Sequence, residues 1–244
     1  MKIKGADYEI NLEVMPKPNS VIIEGFPGFG FVSTITCSYL IKHLNAEYIG
    51  NIFTKKFMPL ATIHEDKLIQ PVEIFYDKEH NIVIIQSSIG VEGIEYDIAE
   101  IILEFAKRIK ASKIITIEGV ASIRAVSSEK VYFYTTKKEF EKELLEQGLE
   151  KIKEGVIIGV TGALILKAVD FPLVGLFIEI HGDLPDNKAS AEIIKVLDSY
   201  LKLKVDYKPL LKKAEEIEQK IKSLVEKIIK AKEEKKKLGV PYAG

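Results

Sequence analysis

Short runs of β-branched residues ending in glycine alternate along this chain with stretches whose apolar positions recur at helical spacing. Ser20–Gly25 (SVIIEG) gives way to FVSTITCSYLIKHL, and Asn81–Ser88 (NIVIIQSS) to GIEYDIAEIILEFAKRIK. In the second of these, Ile94, Ile98, Ile101, Ile102, Phe105 and Ile109 line one helical face. Lys113–Val120 (KIITIEGV) follows directly, and Gly155–Val160 (GVIIGV) and Pro172–Ile180 (PLVGLFIEI) read as two further buried strands. Continuous apolar strands alternating with amphipathic helices predict an α/β layered sandwich. Val72–Asp77 (VEIFYD) meets Asn81–Ser88 across turn material, which reads as a hairpin and makes the central sheet mixed.

The pattern changes near residue 206. Leu210, Ala214, Ile217, Ile221, Leu224 and Ile228 alternate in spacings of four and three among lysines and glutamates. That is a two-position heptad seam, the signature of a helix in an oligomeric bundle. Leu211, Val225 and Ile229 widen it locally, so docking onto the chain's own domain stays open. A helix of about 30 residues reaches roughly 45 Å. Gly239 and Pro241 then stop it, leaving an apolar, tyrosine-bearing tail. The expected organisation is an α/β domain over residues 1–205, a heptad-patterned helix over 206–238 and a short flexible tail over 239–244.

Composition narrows the function classes. The chain has 244 residues, 47% hydrophobic and 29% charged, with a net charge of −1. Arg108 and Arg124 are its only arginines and it has no tryptophan, which argues against nucleic acid as a partner. The opening MKIKGADYEINLEV has no apolar core of a signal peptide, and no apolar run approaches a membrane span. With Cys37 as the single cysteine, no intrachain disulfide is available. The expectation is a cytoplasmic protein that engages no membrane.

Candidate chemistry is sparse. The turn Glu24–Gly30 (EGFPGFG) sits between a strand and a helix, where α/β folds bind anions. Its Gly25, Gly28 and Gly30 reverse the dinucleotide-binding order, and no Gly-Lys-Ser/Thr follows. The turn is therefore either an anion site, with Arg124 as the best cation in the globular part, or a tight turn with Phe26 and Phe29 packed beside it. Ser33, Ser87 and Ser88 have no sequence-adjacent base. His43, His64, His80 and His181 show no metal-ligand spacing, and Cys37 lies in an apolar helical pattern. Asp183 and Asp186 open a helix, where acids serve as caps more often than as an acid/base pair. No catalytic residue, metal or cofactor is assigned. A small-molecule enzyme of nucleoside phosphorylase or hydrolase type is the alternative that this frame and the glycine turn leave open.

Taken in order, VIIEGFPGFGFVSTITCSYLIKHL, IEGVAS, GVTGALI and IEIHGDLPDNKASAEIIKVL resemble the proteasome assembly chaperone family, its archaeal members in particular. The resemblance spans roughly residues 10 to 200. It implies a domain related in fold to purine nucleoside phosphorylases without their catalysis, self-assembly or pairing with a paralogue, and docking on proteasome α-subunits or the core particle. It also implies a C-terminal hydrophobic–Tyr tail that enters pockets between α-subunits. Val240, Pro241, Tyr242, Ala243 and Gly244 match that tail, with two residues after the tyrosine where the family pattern has one.

Overall fold

The computed structural model describes residues 2–64, 66–121, 130–180 and 185–212. Strands form where β-branched residues cluster. In chain order they are β1 (Lys2–Lys4), β2 (Tyr8–Leu12), β3 (Val21–Gly25), β4 (Glu47–Thr54), β5 (Thr62–His64) and β6 (Lys67–Ile69). There follow β7 (Val72–Asp77), β8 (Ile82–Ser87), β9 (Lys113–Ala121), β10 (Val131–Thr135), β11 (Glu150–Lys151) and β12 (Leu173–Ile180). The helices are α1 (Val32–His43), α2 (Glu95–Arg108), α3 (Lys138–Glu146), α4 (Gly159–Lys167) and α5 (Asn187–Leu201).

One mixed sheet runs β1-β2-β4-β7-β8-β3-β9-β12-β10-β11, and β5 and β6 pair only with each other. Its centre, β8-β3-β9-β12, is parallel. β7 and β8 form the expected antiparallel hairpin, with Val72 opposite Ser87. Successive strand residues face opposite layers. Ile22, Val83, Ile85 and Ile114 pack beneath α2 and α4. Ile23, Ile84, Ile115 and Ile117 pack beneath α1 and α5. Both faces of the central strands are thus covered, which is why they read as unbroken apolar runs.

Gly155–Val160 does not form the expected strand. Residues 155–158 carry no regular structure, Gly159 takes a φ of 70°, and α4 begins there. That left-handed residue breaks the extended run and turns Val160 into the core, leaving Val156 exposed. Leu210 lies in helical residues 208–212 and is buried with Leu203 and Val205 beside α1 and α5. The first position of the heptad seam therefore belongs to the domain core. Ala214, Ile217, Ile221, Leu224, Ile228 and the tail lie outside the described residues, as does the remainder of the expected helix over 206–238.

Candidate functional site

The parallel strands β8, β3 and β9 finish at one end of the sheet, and the glycine turn crosses that end. β3 places Glu24 beside Thr116 of β9 in register, and Glu118 is the next residue of β9 on that face. α4 brings Thr161 down onto the same spot, so four polar side chains meet inside an apolar layer. Glu24 is 1% exposed and Glu118 5%.

Each carboxylate secures part of the turn. Glu24 Oε1 accepts the Phe26 N–H at 2.9 Å, and its Oε2 accepts the Thr116 hydroxyl at 2.5 Å and the Thr161 hydroxyl at 3.3 Å. The two threonine oxygens are themselves 2.7 Å apart. Glu118 Oε1 accepts the Phe29 N–H at 3.1 Å. Burial pushes the Glu24 carboxyl up to about 7. Burial, followed by the charge of Glu24, pushes Glu118 up to about 8.

Glycine is required here for two reasons. At Gly28 a Cβ would collide with the Glu118 carboxylate, whose Cδ would lie only 2.8 Å away. At Gly30 the backbone takes a φ of 63°, and its carbonyl accepts the Asp186 N–H at 2.9 Å. Gly25 ends β3 against the buried Cys37. Phe26 is buried, Phe29 is packed against the α1 and α5 core, and Phe31 stays exposed at a φ of 50°. The Ser33 hydroxyl donates to the Phe26 carbonyl, so the start of α1 also fastens the turn.

The structure thus brings Gly25, Gly28 and Gly30 together with two acids that motif reading passed over. Arg124, His181 and Asp183 lie outside the described residues. Asp186 caps α5, accepting the Ala189 N–H at 2.8 Å, as its position predicted. Cys37 is buried, and its thiol is pushed well above the usual range by that burial. Among the described residues no group of three or more His, Cys, Asp or Glu side chains is placed to hold a metal ion. Nor, among them, is any helix long and apolar enough to cross a membrane.

At the same end of the sheet, β5 and β6 project between β4 and β7. Their base is fastened by buried Phe57 and by the Pro71 carbonyl, which accepts the Ser88 N–H at 3.0 Å. Ile63 and Leu68 face each other across the two strands and are 74% and 59% exposed.

Comparison with known proteins agrees with this architecture. The model of the PAC2 family matches residues 22–225. An uncharacterized protein of Methanocaldococcus jannaschii is 33% identical over 87% of this chain and 88% of its own length. The crystal structure of Pyrococcus furiosus PbaA, an archaeal homolog of proteasome-assembly chaperone, superposes with a TM-score of 0.80 at 29% identity, covering 94% of this chain and 97% of that one. Pyrococcus furiosus PbaB, an archaeal proteasome activator, shares the fold, with a TM-score of 0.77 at 23% identity over 90% and 99% of the two chains. With the family model matching residues 22–225, most of its length, the chain belongs to the PAC2 family.

Proposed function

We propose that this protein is a non-catalytic, ATP-independent proteasome assembly chaperone or proteasome-binding factor of the cytoplasm. The observation that carries this reading is the likeness to PbaA along nearly the whole of both chains. In this reading the chain assembles as a homo-oligomer and presents Val240–Gly244 to pockets of the proteasome α-ring. A single short tail offers one aromatic anchor and one carboxylate, which gives weak affinity. Several tails on one oligomer raise each other's effective concentration, provided their spacing matches the pockets.

The site chemistry supports a structural turn over a phosphorylase-like pocket. The Phe26 and Phe29 amides already donate to Glu24 and Glu118, so an anion there would meet two carboxyl groups. Co-purification of the full chain with proteasome α-subunits tests the proposal. Binding is expected, and removing Tyr242, Ala243 and Gly244 is expected to weaken it at least about tenfold. Equal binding by the truncated chain would remove the role of the tail, and no binding by either would overturn the proposal.

A further inference from the structure

Buried acids are tolerated when a cation or a full set of donors faces them. Among the described residues no cation acts on Glu24 or Glu118. α1 brings the Cys37 thiol toward Glu24, and β8 sets Ile85 beside it. β12 sets Phe177 beside Glu118, with Glu179 two residues further along the same face. α2, packed alongside α4, opens with Glu95 and Asp97, and α4 contributes Thr161. The charged neighbours are thus all acidic. The hydroxyls, moreover, cannot supply every hydrogen that the cluster needs. Thr116 Oγ1 meets Glu24 Oε2 and Thr161 Oγ1, and Thr161 Oγ1 meets Glu24 Oε2 and the Glu118 carboxyl. Each hydroxyl carries one hydrogen. With both acids ionised, at least one of these contacts would set lone pairs against lone pairs. A proton on Glu118 resolves it. Glu118 then donates to Thr161, whose own hydrogen is shared between Thr116 at 2.7 Å and Glu24 at 3.3 Å, and Thr116 donates to Glu24 at 2.5 Å.

We propose that Glu118 is a neutral acid in the folded chain and that its proton latches the glycine turn to α4. One oxygen of the carboxyl accepts the Phe29 N–H of the turn, and the other, protonated, donates to Thr161 in the first turn of α4. Losing that proton leaves two charged carboxylates in an apolar layer. It also turns Glu118 from donor to acceptor, against a hydroxyl whose hydrogen is already engaged. The first turn of α4 and the glycine turn then part from β9. α5 lies on the opposite face of the sheet and stays packed. Burial and the charge of Glu24 raise Glu118 to about 8, above Glu24 at about 7, so Glu118 is the acid that keeps its proton longer. The latch is closed at lower pH and opens as pH rises through about 8.

Amide hydrogen exchange of the full chain over a pH series tests the latch, with rates corrected for the intrinsic rise of exchange with pH. From about pH 7 to about pH 9, protection of residues 26–31 and of the first turn of α4 is expected to fall about tenfold, while α5 keeps its protection. Glu118→Gln, whose side-chain amide can still accept from Phe29 and donate to Thr161, is expected to hold its protection throughout. Infrared spectra supply the second readout. A neutral-acid carbonyl band is expected in the wild-type chain at about pH 7, lost by about pH 9 and weaker in Glu118→Gln. Wild-type protection that is unchanged over this range would overturn the proposal, whether or not the variant folds. So would a fall of equal size in Glu118→Gln, absence of the band at about pH 7, or loss of α5 protection in step with α4, which is unfolding of the whole domain.

Discussion

Two neighbouring parts of this molecule treat water in opposite ways. At the glycine turn, two carboxyl groups are buried under α4 and hydrogen-bonded to hydroxyls and backbone amides. At the same end of the sheet, the β5–β6 hairpin holds aliphatic side chains in solvent. Burying polar groups is tolerated only where hydrogen bonds replace the lost water. Exposing apolar ones is tolerated cheaply one at a time, but not as a cluster on a marginal element. The turn is thus a closed device that answers to the fold, whereas the hairpin leaves its aliphatic side chains open to solvent.

The contrast can be broken most severely at the turn. Glu24→Ala leaves the Phe26 amide and one of the two threonine hydroxyls without an acceptor, and is expected to lower stability by about 3 kcal/mol in urea unfolding. Gly30→Ala forces a side chain into left-handed backbone and toward Ile180, with an expected loss of about 1–2 kcal/mol in the same assay. Ile63→Ser, by contrast, replaces a side chain that is 74% exposed and is expected to stay within about 0.5 kcal/mol of wild type.

Protonation separates the two regions further. Glu24 and Glu118 hold their protons more tightly in the folded chain than in the unfolded one, with values raised from 4.5 to about 7 and about 8. Their contribution is fully present below the unfolded carboxyl range and is lost as pH rises through about 7 to 8. Glu118→Gln keeps the shape of the protonated acid. Its stability relative to wild type should therefore grow between pH 5 and pH 9, by at most about 1.4 kcal/mol per pH unit. Thermal melts at a series of pH values check this, and parallel curves for the two proteins would contradict it. No such pH-dependent gap is expected between Ile63→Ser and wild type.

Much of the frame was legible in the sequence because the central strands are buried on both sides. Unbroken runs such as SVIIEG and NIVIIQSS leave few other folds open, and the helix through Ile98, Ile101, Ile102 and Phe105 announces its buried face. The misplaced strand at Gly155–Val160 shows the limit of that reading. A short apolar run has no period of its own, and the left-handed Gly159 decided its fate. β5 and β6 were missed because three-residue strands fall below any periodic signal.

The glycine turn was found by its punctuation, but its acids were not. Glu24 and Glu118 look like surface residues in sequence, since glutamate is seldom buried. The signal that was available is their placement. Each interrupts an otherwise apolar strand just before a glycine, in IIEG and TIEG, where a charge has no route to solvent.

Native mass spectrometry of the full chain mixed with proteasome α-subunits tests the central claim most directly. The account predicts complexes carrying several copies of this chain on an α-subunit assembly, weakened when Tyr242, Ala243 and Gly244 are removed. Free chain and free α-subunits recorded side by side, with no joint species at any ratio, would contradict it.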